Sequence, residues 1–181
     1  MMLDVNEHSS PKYPPRTWAN AARADLTAAF ALDFSTGGEV LTRKAAGAKY
    51  IAIKLTTAPI TAAMYLIDFR EKQSPRATLN IAGNGMHTLG RHLWTQDRVN
   101  RWVYHTIKQV HEHEPITGIF TGGQTGVDIA GAVAAVKLEI PCTVNMPRGL
   151  IQRDSKGYDA PHTQEEIIAQ VTQGVAELER N

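Results

Sequence analysis

An apolar run at Ile116 to Phe120 and an alanine- and valine-rich segment at Val127 to Leu138 are joined by Thr121-Gly122-Gly123-Gln124-Thr125-Gly126. Three glycines at a strand-to-helix junction constrain the fold strongly. A strand that enters a helix through a tight turn belongs to a layered sheet with helices packed on it. The same grammar occurs twice more. Thr78 to Ala82 runs into Gly83-Asn84-Gly85, and Pro141 to Asn145 runs into Met146-Pro147-Arg148-Gly149. Between the first two junctions, Thr95 has the chemistry of an N-cap, and Val99, Trp102, Val103, Ile107 and Val110 recur at helical spacing. Gln164 to Glu179 predicts a closing helix, opened by Thr163 and Glu166 in capping-box spacing. From residue 78 the order is strand, helix, strand, helix, strand, loop, helix. This predicts an α/β protein with a Rossmann-like parallel sheet flanked by helices.

The first 75 residues carry weaker signals and are read as an N-terminal extension. Residues 1–17 are polar with Pro11, Pro14 and Pro15, which predicts a flexible or docked arm. Residues 18–181 form a single domain, divided into the extension at 18–75 and a nucleotide-binding core at 76–181. Trp18, Ala22, Leu26 and Phe30 lie four apart and predict a helix over 18–30. Asp33 to Glu39 reads as a loop, in which Gly37 and Gly38 are more often a plain turn than a ligand contact. Val40 to Ala46 predicts a short helix ended by Gly47, and Lys49 to Leu55 and Met64 to Phe69 each predict a strand. The extension completes the sheet edge, covers the cleft or builds a dimer interface. In the last two cases Ser35 to Gly38 reaches the ligand.

Composition narrows the function. A formal net charge of +1 gives no global field for a nucleic acid polymer or an anionic membrane. The one cysteine, Cys142, excludes an internal disulfide and a multi-cysteine zinc site, and its apolar neighbours predict a buried thiol. His111 and His113 stand two apart at a helix end and share no face, so no metal is expected. No apolar stretch reaches membrane-spanning length, and the expectation is a cytoplasmic protein.

Ligands of parallel α/β sheets bind beyond the carboxyl ends of the strands, where βα turns converge. The turns after Ala82, Phe120 and Asn145 meet there. Gly83, Gly85, Gly122, Gly123 and Gly126 would give a glycine-floored cleft, with Thr121, Asn84, Gln124 and Thr125 as neutral hydrogen-bonding groups. A third wall would carry Asn145, Pro147, Arg148, Gly149 and Arg153. Backbone amides at a helix N-terminus together with arginines suit a phosphate or pyrophosphate. Arg153 has an ion pair with Asp154 as its competing role. Asp128 is open to three: stabilising its helix, accepting hydrogen bonds from a ribose or base, or acting as an acid or base in glycosidic cleavage. No lysine follows the glycines, which excludes a nucleoside triphosphatase P-loop, and the spacing departs from Gly-x-Gly-x-x-Gly.

Phe120-Thr121-Gly122-Gly123-Gln124-Thr125-Gly126-Val127-Asp128, followed by Ile140-Pro141 and Pro147-Arg148-Gly149, resembles the SLOG superfamily of Rossmann-like nucleotide-binding proteins, in particular its molybdenum-cofactor-carrier-like branch. The similarity spans about residues 76 to 180. It implies a Rossmannoid sheet, a nucleotide-type ligand over the glycine turn, no required cofactor beyond that nucleotide, and self-association into a homo-oligomer. Some members bind NAD-derived or cyclic nucleotide signals. The lonely-guy branch instead cleaves the bond between base and ribose phosphate, with a turn reading Pro-Gly-Gly-x-Gly-Thr and a downstream glutamate. Here Thr121 replaces the proline and the third glycine is displaced by one. The expectation is therefore a protein that sequesters or senses an ADP-ribose-like or cyclic nucleotide. A nucleotide N-glycosidase or phosphoribohydrolase using Asp128 is the alternative.

Overall fold

The computed structural model describes residues 3–73 and 77–180. Six strands form one all-parallel sheet: β1 (Leu3–Glu7), β2 (Leu26–Ala31), β3 (Tyr50–Lys54), β4 (Thr78–Gly83), β5 (Gly118–Thr121) and β6 (Cys142–Met146), in the spatial order β1-β6-β5-β4-β2-β3. The helices are α1 (Tyr13–Arg23), α2 (Gly37–Ala46), α3 (Pro59–Lys72), α4 (Met86–Leu89), α5 (Gln96–His113), α6 (Val127–Lys137) and α7 (Gln164–Glu179). Helices α1 and α2 pack together on one face. The row α3, α5, α6, α7 covers the other. This is a Rossmann-like α/β fold. Helix α6 lies between α5 and α7 on the sheet, so Val127 to Ala135 is buried all round, and no amphipathic stripe remains to be read. The small β7 (Gln152–Arg153) and β8 (Asp159–Ala160) form a separate antiparallel pair.

Three readings of the N-terminal third are corrected. Residues 3–7 are a sheet strand rather than a flexible arm: Leu3 and Val5 are buried, and Leu3 to Glu7 pair in register with Cys142 to Met146. Pro14 and Pro15 open α1, where the first backbone N–H groups need no helical acceptor. The helix expected over 18–30 ends at Arg23, and Leu26 to Ala31 is a central strand paired to both β3 and β4. A strand buried on both faces is apolar throughout and shows no alternation, so its leucine and phenylalanine extended the four-residue spacing by accident. Asp25 marks the true break: its carboxylate accepts the N–H groups of Ala77 and Thr78 and the Thr78 hydroxyl.

Met64 to Phe69 lies inside α3, not in a strand. Pro59 starts that helix, and Ala62, Ala63, Leu66 and Arg70 bury one side while Met64 and Tyr65 face solvent. The 18–75 segment therefore supplies two strands of the sheet that the 76–181 segment continues. Elsewhere the agreement is close. Thr95 caps α5 through Arg98 N–H, Thr163 and Glu166 form the capping box of α7, and Cys142 is buried.

The chain reverses direction across the sheet between β2 and β4. From β2 it moves outward to β3, and from β4 it moves the other way through β5 to β6. Beyond the carboxyl ends of two such strands, their connections diverge to opposite faces and leave a crevice.

Candidate functional site

That crevice is a cleft of 610 Å³, walled by the end of β4 and by the turns after β4 and β5 and lined on its other side by α1 and by the N-terminal half of α2. Asn84 fixes its floor. The Asn84 side-chain oxygen accepts the N–H groups of Leu32 and Asp33 at 2.9 and 3.0 Å, and its Nδ2 donates to Asp33 O at 2.9 Å. One amide thus ties the end of β4 to the end of β2.

The glycine turn after β5 is shaped by its own side chains. Gly123 and Gly126 have φ of 74° and 92°, the left-handed region that glycine enters without strain. Gly122 leaves room for close approach, since a Cβ there would overlap the Arg16 guanidinium and the Asp128 carboxylate. Asp128 Oδ2 is 3.2 Å from Arg16 Nη1 and accepts the Gln124 N–H at 3.3 Å. Gly126 N–H donates to Gln96 Oε1 at 2.6 Å, and Val127 N–H to Asn84 O at 3.2 Å. These amides, available in sequence terms to a phosphate, bond within the protein.

Of the residues expected at a ligand, Gly83, Asn84, Gly85, Gly122, Gln124, Thr125, Asp128 and Arg153 line the cleft. Gln124 and Thr125 also hold the segment at 151–153: Gln124 bonds Ile151 O and Arg153 N–H, and the Thr125 hydroxyl donates to Arg153 O. Thr121, Gly123 and Gly126 are buried around the turn without lining the cleft, and the Thr121 hydroxyl donates to Asp128 O.

Of the expected third wall Arg153 lines the cleft, whereas Asn145, Pro147, Arg148 and Gly149 are not among its lining residues. Asn145 is buried against Asn20, while Arg148 N–H donates to Ser10 O and Gly149 N–H to Glu7 Oε1. Residues 8–10, leaving β1, bond to the end of β6 and the turn after it through His8 N–H to Met146 O and Arg148 N–H to Ser10 O. Arg153 pairs with Asp159 through two bonds of 2.8 and 3.0 Å, not with Asp154, whose carboxylate accepts N–H groups within its own turn. The Arg153 guanidinium also lies 5.6 Å from the centre of the Tyr13 ring.

The N-terminal segment supplies further groups, among them Thr36 to Gly38 of the Ser35 to Gly38 stretch weighed in the sequence as a possible ligand contact. Arg16, Thr36, Gly37, Gly38 and Glu39 line the cleft, as do His87 and Arg91 from the turn after β4. Among the described residues, buried polar side-chain atoms without a hydrogen-bond partner are Arg16 Nε, Glu39 Oε2, His87 Nδ1 and Asp97 Oδ1. Three of these four belong to the cleft. Buried polar groups are nearly always paired, so such a concentration marks a place where stability is not the whole design. Arg91 Nη2 lies 2.7 Å from His87 Nε2. Arginine only donates, so His87 accepts at Nε2 and carries its proton on Nδ1, an unpartnered donor.

Glu39 is 3% exposed, and burial first, then the charges of Asp128 and Asp33, push its carboxyl up to about 8. Burial also raises Asp128, opposed by Arg16 and the Gln124 N–H. A carboxyl pushed up to about 8 keeps its proton around neutral pH, and it stands beside the Asp128 carboxyl group that pairs with Arg16. The signal for Glu39 was Thr36-Gly37-Gly38-Glu39 itself, an N-cap, two small residues and an acid, which start α2 through the Thr36 hydroxyl accepting Glu39 N–H. The described residues contain no group of three or more histidine, cysteine or acidic side chains able to hold a metal ion, and no helix long and apolar enough to cross a membrane.

No family model matches the chain, and no curated protein or solved structure matches it either.

Proposed function

We propose that the cleft binds a phosphate-bearing nucleotide, of the ADP-ribose or cyclic kind, and that the protein is a SLOG-type member of the Rossmann-like fold which sequesters or senses it. The supporting observation is the mixed chemistry of one switch-point crevice: unpartnered donors on Arg16 and His87 stand with Arg91, beside the acids Glu39 and Asp128. A nucleotide brings the matching halves, an anionic phosphate for the donors and a hydroxyl-rich sugar for the acids. The volume of 610 Å³ falls within the usual range for small-ligand sites. Gly37 and Gly38 begin α2 with N–H groups that have no partner among the described residues, and these add to the donor set. The same reading carries a cytoplasmic location and self-association, which sedimentation velocity measures.

Calorimetric titration with ADP-ribose, AMP and cyclic AMP, alongside mass spectrometry of whatever heat releases from the purified protein, tests it. Gly38→Glu adds a carboxylate where a Cβ meets nothing, so the fold is kept and the affinity falls at least tenfold. Unchanged affinity in that variant, or no binding of any of the three at millimolar concentration, removes the reading.

A second reading, hydrolysis of the bond between base and sugar, is favoured by the pairing of a neutral acid with a carboxylate, since opposed protonation states divide acid from base roles. Release of free base from AMP or ADP-ribose, lost in Asp128→Asn with binding retained, distinguishes turnover from capture.

A further inference from the structure

Glu39 Oε2 is shut off from water and has no hydrogen-bond partner among the described residues. Asp128 uses Oδ2 for its side-chain bonds to Arg16 and to the Gln124 N–H, which leaves Oδ1 without a hydrogen-bond partner among the described residues. Both side chains line the same cleft. We propose that Glu39 and Asp128 together seat a sugar hydroxyl of the nucleotide, Glu39 donating to the hydroxyl oxygen from its carboxylic acid and Asp128 Oδ1 accepting the hydroxyl proton. The cleft thereby selects ribose over deoxyribose. This rests on the nucleotide reading above and names the group that the acid pair recognises.

The chemistry excludes the competing occupants. A phosphate would meet the Asp128 charge, and an ammonium group would need Glu39 ionised. A hydroxyl gives one proton and accepts another, which satisfies a neutral acid and a carboxylate at once. The charged groups that face Glu39 agree with its remaining protonated. Asp128 of the β5–α6 turn, itself held by Arg16 of α1, and Asp33 of the β2–α2 loop both oppose its ionisation. Tyr50 of β3 feels the Glu39 charge in turn and, with burial as the larger cause, is pushed up to about 12, against the pull of Arg43.

Calorimetric titration of the wild-type protein, Glu39→Gln and Glu39→Ala with AMP, 2′-deoxy-AMP and 3′-deoxy-AMP at pH 7.0 and 9.5 tests the pair. At least one deoxy analogue binds roughly tenfold or more weakly than AMP, because it leaves buried polar groups unpaired. With the Glu39 carboxyl titrating at about 8, wild-type affinity for AMP drops about 30-fold between the two pH values. Glu39→Gln, which keeps a donor but cannot ionise, holds its affinity across that range, and Glu39→Ala is weak at both. Equal affinity for all three nucleotides, or the same pH profile in wild type and Glu39→Gln, overturns the hydroxyl seat and leaves nucleotide binding standing. If none of AMP, ADP-ribose and cyclic AMP binds the wild type, both readings fall. A carbon-detected NMR titration of the ligand-free protein supplies an independent check, and a Glu39 carboxyl that ionises near 4.5 refutes the proposal whatever binds.

Discussion

Glu39→Gln should stabilise the protein in alkaline solution while changing little in acid. The native carboxyl titrates at about 8 against an ordinary value of 4.5, with burial as the main cause. Below pH 4.5 both native and unfolded chains hold the proton, and the contribution of Glu39 to stability is fully present. As pH rises the unfolded chain ionises while the native protein keeps its proton, so stability falls steadily until the native group ionises too, at about 8, and is level above that. Between pH 5 and pH 9 the loss amounts to about 4 kcal/mol, an upper figure because water and side-chain relaxation soften the cost of a buried charge. Glutamine has the same shape and no such titration. Urea unfolding of both proteins at pH 5, 7 and 9 isolates the difference, since every other titrating group is shared. The advantage of Glu39→Gln should widen with pH by several kcal/mol, or by about 10 °C in Tm at this chain length. A gap that is the same at all three pH values would show that Glu39 is ionised in the native protein, and the reasoning about the acid pair would fail with it.

Arg16→Ala leaves Asp128, 4% exposed, without its cation, and should cost about 3–5 kcal/mol in urea unfolding, with Arg16→Ala/Asp128→Asn recovering part of the loss. Gly126→Ala forces a side chain onto φ 92° and against Asn84 O, and should lower stability by about 2 kcal/mol or more, read as a drop in Tm. Asn84→Ala removes three hydrogen bonds between the ends of β2 and β4; a loss of about 2–4 kcal/mol is expected, together with faster amide exchange at Leu32 and Asp33. Arg91→Ala should weaken AMP binding about tenfold, whereas Arg148→Ala, outside the cleft, should leave it unchanged in the same titration.

The elements that could be read in advance are those whose signal is local. Thr95 and Thr163 announce α5 and α7 because an N-cap is a chemical requirement of the helix end, and β4, β5 and β6 follow from short apolar runs closed by glycine or proline. What failed needed the partner strand. Leu26 to Ala31 is a strand because β3 and β4 flank it on both sides, and Leu3 to Glu7 is one because β6 has a free edge. Neither fact is encoded within reach of those residues. The site divides in the same way. The β4 and β5 turns were visible through their glycines, but Glu39 acquires meaning only when folding sets it beside Asp128, 89 positions later. Arg148 differs in the opposite direction: a strand-end arginine is a natural phosphate ligand by sequence, yet its backbone N–H is bonded to Ser10 O and it is not among the residues that line the cleft.

The glycine turn illustrates how a motif can be read correctly as geometry and differently as chemistry. Three glycines after β5 do bring a backbone close to charged groups, yet the group nearest Gly122 is the Arg16–Asp128 pair of the protein itself. The turn amides at Gln124, Gly126 and Val127 are taken by Asp128, Gln96 and Asn84. An anion on the Gln124 amide would have to displace a buried carboxylate already bound to arginine, and one on the Gly126 or Val127 amide would break the bonds to Gln96 and Asn84. The N–H groups of Gly37 and Gly38 and of His87 Nδ1, which have no partner among the described residues, require no such displacement. On the proposed nucleotide reading a ligand phosphate would be held at lower cost by the turns after β2 and β4, and the turn after β5 would serve instead to hold Asp128 where its remaining oxygen could meet the sugar. That division makes the N-terminal third a working half of the site, because without α1 and α2 neither Arg16 nor Glu39 would be present to set the charge of the cleft.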